Sequence, residues 1–219
     1  MRKYVIMGVQ GSGKGTQAKL MACDLDLVHI SVGDIFRWNV QYHTKIGAQV
    51  RRLLATGHLV DDALVEDVVR DRLAMHDWNF GFVVDGFPRN VRQAEFFLES
   101  YDIDAVIHLD MPDSAVQQRV LARRLCSECG LDYNLIAHRP ADPDRCDVCG
   151  GELVQRSDDH PDALAVRLED YREKTHPIIE LFEAKHRLVT IDATRTVTEV
   201  QDEIRTQLHL PEQRPRESR

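Results

Sequence analysis

The stretch GVQGSGKGT, Gly8 to Thr16, follows the apolar run YVIM and places four glycines, one lysine and two hydroxyls in nine positions. A glycine-rich turn between a buried strand and a helix lets backbone N–H groups wrap an anion, and the helix N-terminus adds the positive end of its dipole. The ligand that suits such a turn is a polyphosphate. The spacing Gly8-x4-Gly13-Lys14 fits the phosphate-loop pattern, in which the lysine reaches the terminal phosphates and a following hydroxyl serves magnesium. Here Gly15 follows the lysine, and the hydroxyl comes one place later, at Thr16. A dinucleotide fingerprint counted from Gly11 fails, because its third glycine would fall at Thr16.

Beyond the loop, apolar runs alternate with longer amphipathic segments. KYVIMG (3–8), VHIS (28–31), FGFVVDG (80–86), DAVIHLDM (104–111) and HRLVTIDA (186–193) read as strands. GKGTQAKLMACDLDL, DALVEDVVRDRLAMH, DSAVQQRVLARRL and PDALAVRLEDYREKTHPIIELFEAKH read as helices. Strands alternating with helices imply an α/β fold, a parallel sheet covered on both faces. The segment from Cys126 to Arg156 breaks the rhythm with Cys, Pro, Gly and Asp and reads as an inserted subdomain. The closing PEQRPRESR reads as a disordered tail.

Charge and cysteine usage narrow the setting. A net charge of −8 argues against a general nucleic-acid or anionic-membrane binder, so any phosphate site must be local. No run approaches the roughly 18 apolar residues of a membrane span, and MRKYVIMGVQG lacks the features of a signal peptide; the expected location is the cytoplasm. CSEC (Cys126 to Cys129) and CDVC (Cys146 to Cys149) are separated by 16 residues, as in a zinc-binding pattern. Four thiolates would close a structural tetrahedral site with no catalytic water. Four reduced thiols or two disulfides are the other readings of these cysteines. Cys23 reads as a small core residue.

ISVGDIFR (30–37), GHLVDDALV (57–65) and GFVVDGFPRNVRQ (81–93) follow GVQGSGKGT in the order and approximate spacing of nucleoside monophosphate kinases. With QQRVLARRL (117–125), QRSDD (155–159) and AVRLEDY (165–171), the chain resembles an adenylate kinase over nearly its whole length except the tail. The resemblance implies reversible phosphoryl transfer from magnesium ATP to AMP, giving two ADP, by a monomer that binds neither nucleic acid nor membrane. It also implies a P-loop core (1–30, 61–121 and 160–210), a helical acceptor-binding insert (31–60), a zinc-stapled lid (122–159) and a tail (211–219).

By the same resemblance ATP would meet Gly11, Ser12, Gly13, Lys14, Gly15, Thr16, Arg119, Arg123, Asp132, Tyr133 and the backbone near Arg195. AMP would meet Val32, Arg37, His58, Leu59, Val60, Gly86, Phe87, Pro88, Arg89, Gln93, Arg156 and Arg167. Lys14, Arg89, Arg123, Arg156 and Arg167 would stabilise the transferring group, and Asp85 would hold magnesium through water. Zinc would sit on Cys126, Cys129, Cys146 and Cys149.

Physical chemistry gives these residue types a task. Phosphoryl transfer asks chiefly that two anions be aligned and their charge neutralised. Planar guanidinium groups do this in bidentate fashion. Arg119 and Arg123, four apart, would share one face of a helix. A single arginine is usually a solvated surface cation, but six in register with the family are not explained that way.

Two positions depart from the family. Ser31-Val32-Gly33-Asp34 stands where adenylate kinases usually read STGD, so a hydroxyl that would contact adenine is missing, and UMP or CMP becomes an alternative acceptor. Gln93 favours adenine, because its amide can donate and accept against the base edge. Asn134 replaces a histidine common in zinc-lid relatives. A nucleotide switch would share the loop but needs no second arginine cluster. A zinc-ribbon nucleic-acid module would carry a basic, aromatic surface, whereas ADPDRCDVCGGE is acidic.

Overall fold

Tyr4, Val5, Ile6 and Met7 are all buried, which requires cover on both faces of the strand they form, β1 (Lys3–Gly8). In the computed structural model, which describes residues 2–77, 80–136, 138–156, 158–185 and 187–211, that cover is complete. Four further strands run parallel to the first: β2 (Val28–Ser31), β3 (Phe82–Asp85), β4 (Ala105–Asp110) and β8 (Leu188–Asp192). Their order is β2-β3-β1-β4-β8. Side chains alternate between the faces. Val5, Met7, Val84 and Val106 pack with Phe87, Phe97, Ile178 and Phe182, while Tyr4, Ile6, Val83 and Ile107 pack with Ala18, Met21, Val120 and Ile204.

The loop after β1 is held by glycine. A Cβ on Gly8 would stand 2.5 Å from the Leu109 carbonyl oxygen, and Gly13, with φ 96°, caps α1 (Lys14–Leu25) in the left-handed region. Residues 32–56 form two helices, α2 (Val32–Gln41) and α3 (Lys45–Thr56). Ser31 and Thr44 cap them by accepting from Asp34 N and Gly47 N. α4 (Asp62–Ala74) starts on Asp61, whose carboxylate accepts from Ala63 N and Leu64 N. α5 (Val91–Ser100) starts on Asn90.

The helix expected over 113–125 is shorter than its sequence suggests. α6 (Asp113–Leu121) ends at the Ala122 cap, and Arg123–Cys126 form strand β5 instead. β5 lies between β6 (Asp132–Asn134) and β7 (Leu153–Val154) in an antiparallel sheet. Leu125 and Cys126 are laddered to residues almost thirty positions away, at Val154 and Leu153, and these partners outweigh local helix propensity. Arg119 and Arg123 therefore do not share a helical face.

The long helix expected from Pro161 is likewise divided. α7 (Pro161–Asp170) passes through a π-helical turn at Tyr171–Thr175 into α8 (His176–Ala184). Pro177 has no N–H to continue an α-helical ladder, and the wider turn accommodates it. α9 (Val197–Gln207) follows β8 and begins with a Thr196–Glu199 capping box. Of the expected tail, residues 212–219 lie outside the described residues.

α2 and α3 touch where a side chain is missing. A Cβ on Gly47 would lie 2.1 Å from the Asn39 carbonyl oxygen. Gly47→Ala should push the helices apart and cost about 1–3 kcal/mol, read as a lower urea midpoint with an unchanged slope.

Candidate active site

In an open parallel sheet, ligands bind beyond the carboxyl ends of the strands where the winding reverses. β1 is such a place, since β2 and β3 lie on one side and β4 and β8 on the other. The glycine loop leaves β1 here. Asp85 ends β3 in register with Ile6, and its Oδ2 is 3.4 Å from where a Cβ on Gly15 would be.

The loop is poor in partners for its polar groups. Ser12 is buried and its hydroxyl oxygen has none among the described residues. Lys14 donates to the Val9 carbonyl at 2.7 Å, with Gly11 and Gly13 at positive φ on either side of Ser12. Thr16 is exposed. Burial pushes the Lys14 ammonium down to about 8, opposed by Asp85 and reinforced by Arg89, Arg123 and Arg167. Those three arginines thus act on the loop lysine although they come from three separate segments.

The arginines form a continuous group. Arg123 donates through Nε to Asp159 Oδ2 at 2.7 Å, and Arg167 donates to Asp158 Oδ2 at 2.6 Å and Gln10 Oε1 at 2.7 Å. Arg156 pairs with Asp132, and Arg37 with Asp34. Arg89 instead donates to the Gly86 carbonyl at 2.8 Å. Burial, then Arg167, pushes Arg89 down to about 10. Burial, then Arg37 and Arg123, lowers Arg156, whose buried Nε has no hydrogen-bond partner. Buried cations held below their ordinary range beside the Arg156 Nε suit this place to an anion. Arg119 is turned elsewhere, toward the carbonyls of Thr194 and Arg195 at 3.2 and 3.4 Å.

Beside Arg89 lies an apolar wall. Val32, Val60 and Phe87 are buried in one cluster with Phe36 and Val65. Leu59 is partly buried and His58 is exposed, while Gly86 and Pro88 frame the turn that delivers Arg89. Gln93, only 1% exposed, accepts from Arg89 N at 2.8 Å and donates to Asp62 Oδ1 at 2.8 Å. The same Asp62 oxygen accepts from Asn90 at 2.7 Å.

The four paired cysteines converge, with all four Sγ atoms within 4.8 Å of one another. Cys126–Cys149 and Cys129–Cys146 are 3.4 and 3.6 Å apart. Zinc–sulfur bonds of about 2.3 Å would put tetrahedral sulfurs roughly 3.8 Å apart, so the donor set fits zinc in type and size. The buried Tyr133 hydroxyl accepts from Asp147 N at 2.9 Å and lies 3.4 Å from Cys146 Sγ, which turns it toward the sulfurs. Its neighbour Asp132 also reaches Lys19 at 3.3 Å, joining this small sheet to α1.

Comparison with known proteins agrees with this geometry. The family model for adenylate kinase matches residues 6–187. An adenylate kinase of Methanocella arvoryzae is 39% identical over 208 residues, 93% of this chain and 96% of that protein. One of Clostridium tetani is 41% identical over 205 residues, covering 91% and 95%, and one of a Thermoanaerobacter species is 40% identical over 211 residues, covering 94% and 97%. The chain belongs to the adenylate kinase family. Sequence reasoning about the family's arginines overlooked three carboxylates that hold them, Asp34, Asp158 and Asp159, although the adjacent acids of QRSDD were a visible signal, and it gave Asp132 to ATP without its pairing to Arg156. Asp62 was overlooked too, and nothing local marks it.

The Lys14 environment fixes a sign. Its folded pKa, about 8, lies below the ordinary 10.5, so the charged form is disfavoured by folding. That cost is fully present at pH 7 and is relieved as pH rises from about 8 toward 10.5, where only the unfolded chain still binds the proton. Lys14→Met should therefore melt higher than the parent at pH 7 without nucleotide, and thermal melts at rising pH should show the difference shrinking.

Proposed function

We infer that this chain transfers the terminal phosphoryl group of magnesium ATP to AMP, giving two ADP, and runs the reaction in both directions. The observation that carries this reading is that Arg123 and Arg167 converge on the glycine loop, Arg167 through Gln10 and Asp158 and Arg123 through Asp159, which also accepts from Gln10. One nucleotide does not need so many cations from so many segments, but two nucleotides aligned for in-line transfer do.

In this reading the loop from Gly11 to Thr16 cradles the ATP phosphates through backbone N–H groups and Lys14. Arg119, Arg123, Asp132 and the Arg195 backbone border the rest of ATP, whereas the Tyr133 side chain, turned toward the sulfurs, supports the lid from inside. Arg37 and Arg89 grip the AMP phosphate. Val32, the segment from His58 to Val60, Gly86 to Pro88 and Gln93 surround its nucleoside. Arg156 and Arg167 lie between the two phosphates, where they offset the charge that develops during transfer. Magnesium, bound near Asp85 through water, would neutralise phosphate charge.

Residues 31–60 act as the acceptor insert and 122–159 as a lid on a core of 1–30, 61–121 and 160–210. Closing the lid removes the water that would otherwise accept the phosphoryl group. Zinc on the four cysteines would reinforce the lid's small core of Cys126, Tyr133, Cys146 and Leu153. The protein works as a monomer in the cytoplasm, a location supported by its free thiols. Among the described residues no helix is long and apolar enough to cross a membrane.

A coupled assay with ATP, magnesium and each monophosphate in turn tests the reaction. AMP should give the highest kcat/KM, and a higher value for UMP or CMP would reassign the acceptor. Arg89→Lys should fold normally yet lose about 10²–10³ in kcat, because an ammonium cannot reproduce a planar two-point grip. The purified protein should hold about one zinc per chain, and chelation should lower its melting temperature. Equal melting with and without metal would remove zinc from the account.

A further inference from the structure

Gln93 is fixed at both ends by neighbours of opposite kind. The Asp62 carboxylate can only accept, so the amide nitrogen must face it, as it does at 2.8 Å. The Arg89 backbone N–H can only donate, so the amide oxygen must face it, also at 2.8 Å. Turning the amide over would set oxygen against carboxylate and N–H against N–H. In a side chain that is 1% exposed, no water is at hand to relieve either clash. The anchor is itself held, because Asn90 donates to the same Asp62 oxygen at 2.7 Å while its own side-chain oxygen caps α5 by accepting from Gln93 N at 2.9 Å. Asp62 lies in the first turn of α4, where the helix dipole favours its negative charge.

What is left on the amide is one N–H and one lone pair in a set order. A 6-aminopurine presents an N–H at position 6 beside an acceptor at N1. A 6-oxopurine in the same seat presents the reverse, an acceptor beside an N–H. An amide free to turn would serve both bases, whereas a fixed one serves one of them. We propose that Asp62 is the positioning residue that sets the order of donor and acceptor on Gln93 and so makes the acceptor site prefer a 6-amino over a 6-oxo purine. This rests on the reading that Gln93 faces the base of the acceptor.

The test measures kcat/KM for AMP and for inosine monophosphate in the parent protein, Asp62→Asn, Asp62→Ala and Gln93→Ala. Asparagine is isosteric and can present either an oxygen or an NH2 group, so it removes the Asp62 half of the constraint and leaves the Arg89 N–H alone to order the amide. The AMP-to-IMP ratio should fall about tenfold or more in both Asp62 variants, with the loss on AMP carried by KM. A change in the scaffold alone would lower activity on both acceptors together and leave the ratio in place. If Gln93→Ala collapses the ratio while both Asp62 variants keep the parent value, the positioning role is overturned and the reading of Gln93 stands. If Gln93→Ala also keeps the ratio, the placement of Gln93 at the base is wrong and the proposal falls with it.

Discussion

The structure depends on holding several cations close together beyond the ends of a buried parallel sheet. Lys14, Arg89 and Arg156 are each pushed below their ordinary pKa, and neighbouring guanidinium groups contribute to each shift. Such a group would repel itself apart unless rigid elements and counter-charges fixed it. Both are present. β1 and β3 bring Lys14 and Asp85 to one edge, and carboxylates hold Arg37, Arg123, Arg156 and Arg167. Two of those carboxylates, Asp158 and Asp159, are buried. The pair stands where the small antiparallel sheet returns to α7, so the charge arrangement and the chain path support each other.

The outlying parts are marginal by themselves and lean on the core. The cluster inside the small sheet consists of Cys126, Tyr133, Cys146 and Leu153, with Leu131 against it, and two of its buried members are metal-type ligands. Such a core is too small to stabilise thirty or so residues without a metal or an attachment. Asp132 supplies an attachment, bridging Lys19 of α1 and Arg156. The α2–α3 pair is tied similarly. Arg167 donates to the Leu54 carbonyl at 3.2 Å, and His160 lies 3.2 Å from the Ala55 carbonyl, so α7 holds the end of α3. Weakly cored elements joined by a few polar contacts can open at low cost.

The sequence was legible wherever meaning is local. The glycine loop, the five sheet strands and the paired cysteines each carry their signal within a few residues, and each stands where it was expected. Meaning that comes from distant partners was lost. Nothing in ARRL says that Arg123 leaves a helix, because the ladders that decide it run to Asn134 for Arg123 itself and to Val154 and Leu153 for Leu125 and Cys126. The π-helical turn was missed although Pro177 announced an irregularity, and α9 was missed although Thr196 and Glu199 spell a capping box. The orientation of Gln93 was beyond reach, since it is set by Asp62, thirty-one positions earlier.

The carboxylates that hold the arginines also set the terms on which phosphate can bind. A buried guanidinium without a partner is costly, and a phosphate arriving at a bare arginine would gain all of that cost back and leave slowly. Here Arg123 and Arg167 already have Asp159 and Asp158, so under the proposed function an incoming phosphate would gain only the difference between two anionic partners. Among the described residues the Arg89 side chain donates to the Gly86 carbonyl and Arg156 Nε has no partner, so in the proposed reading these two would keep the larger share of unmet demand. In the proposed reading, attraction would thereby be concentrated on Arg89 and Arg156, while their neighbours would stay preorganised and exchange partners at small net cost. For a reaction that must release its products as readily as it binds its substrates, graded demand of this kind serves turnover better than a uniformly bare cluster.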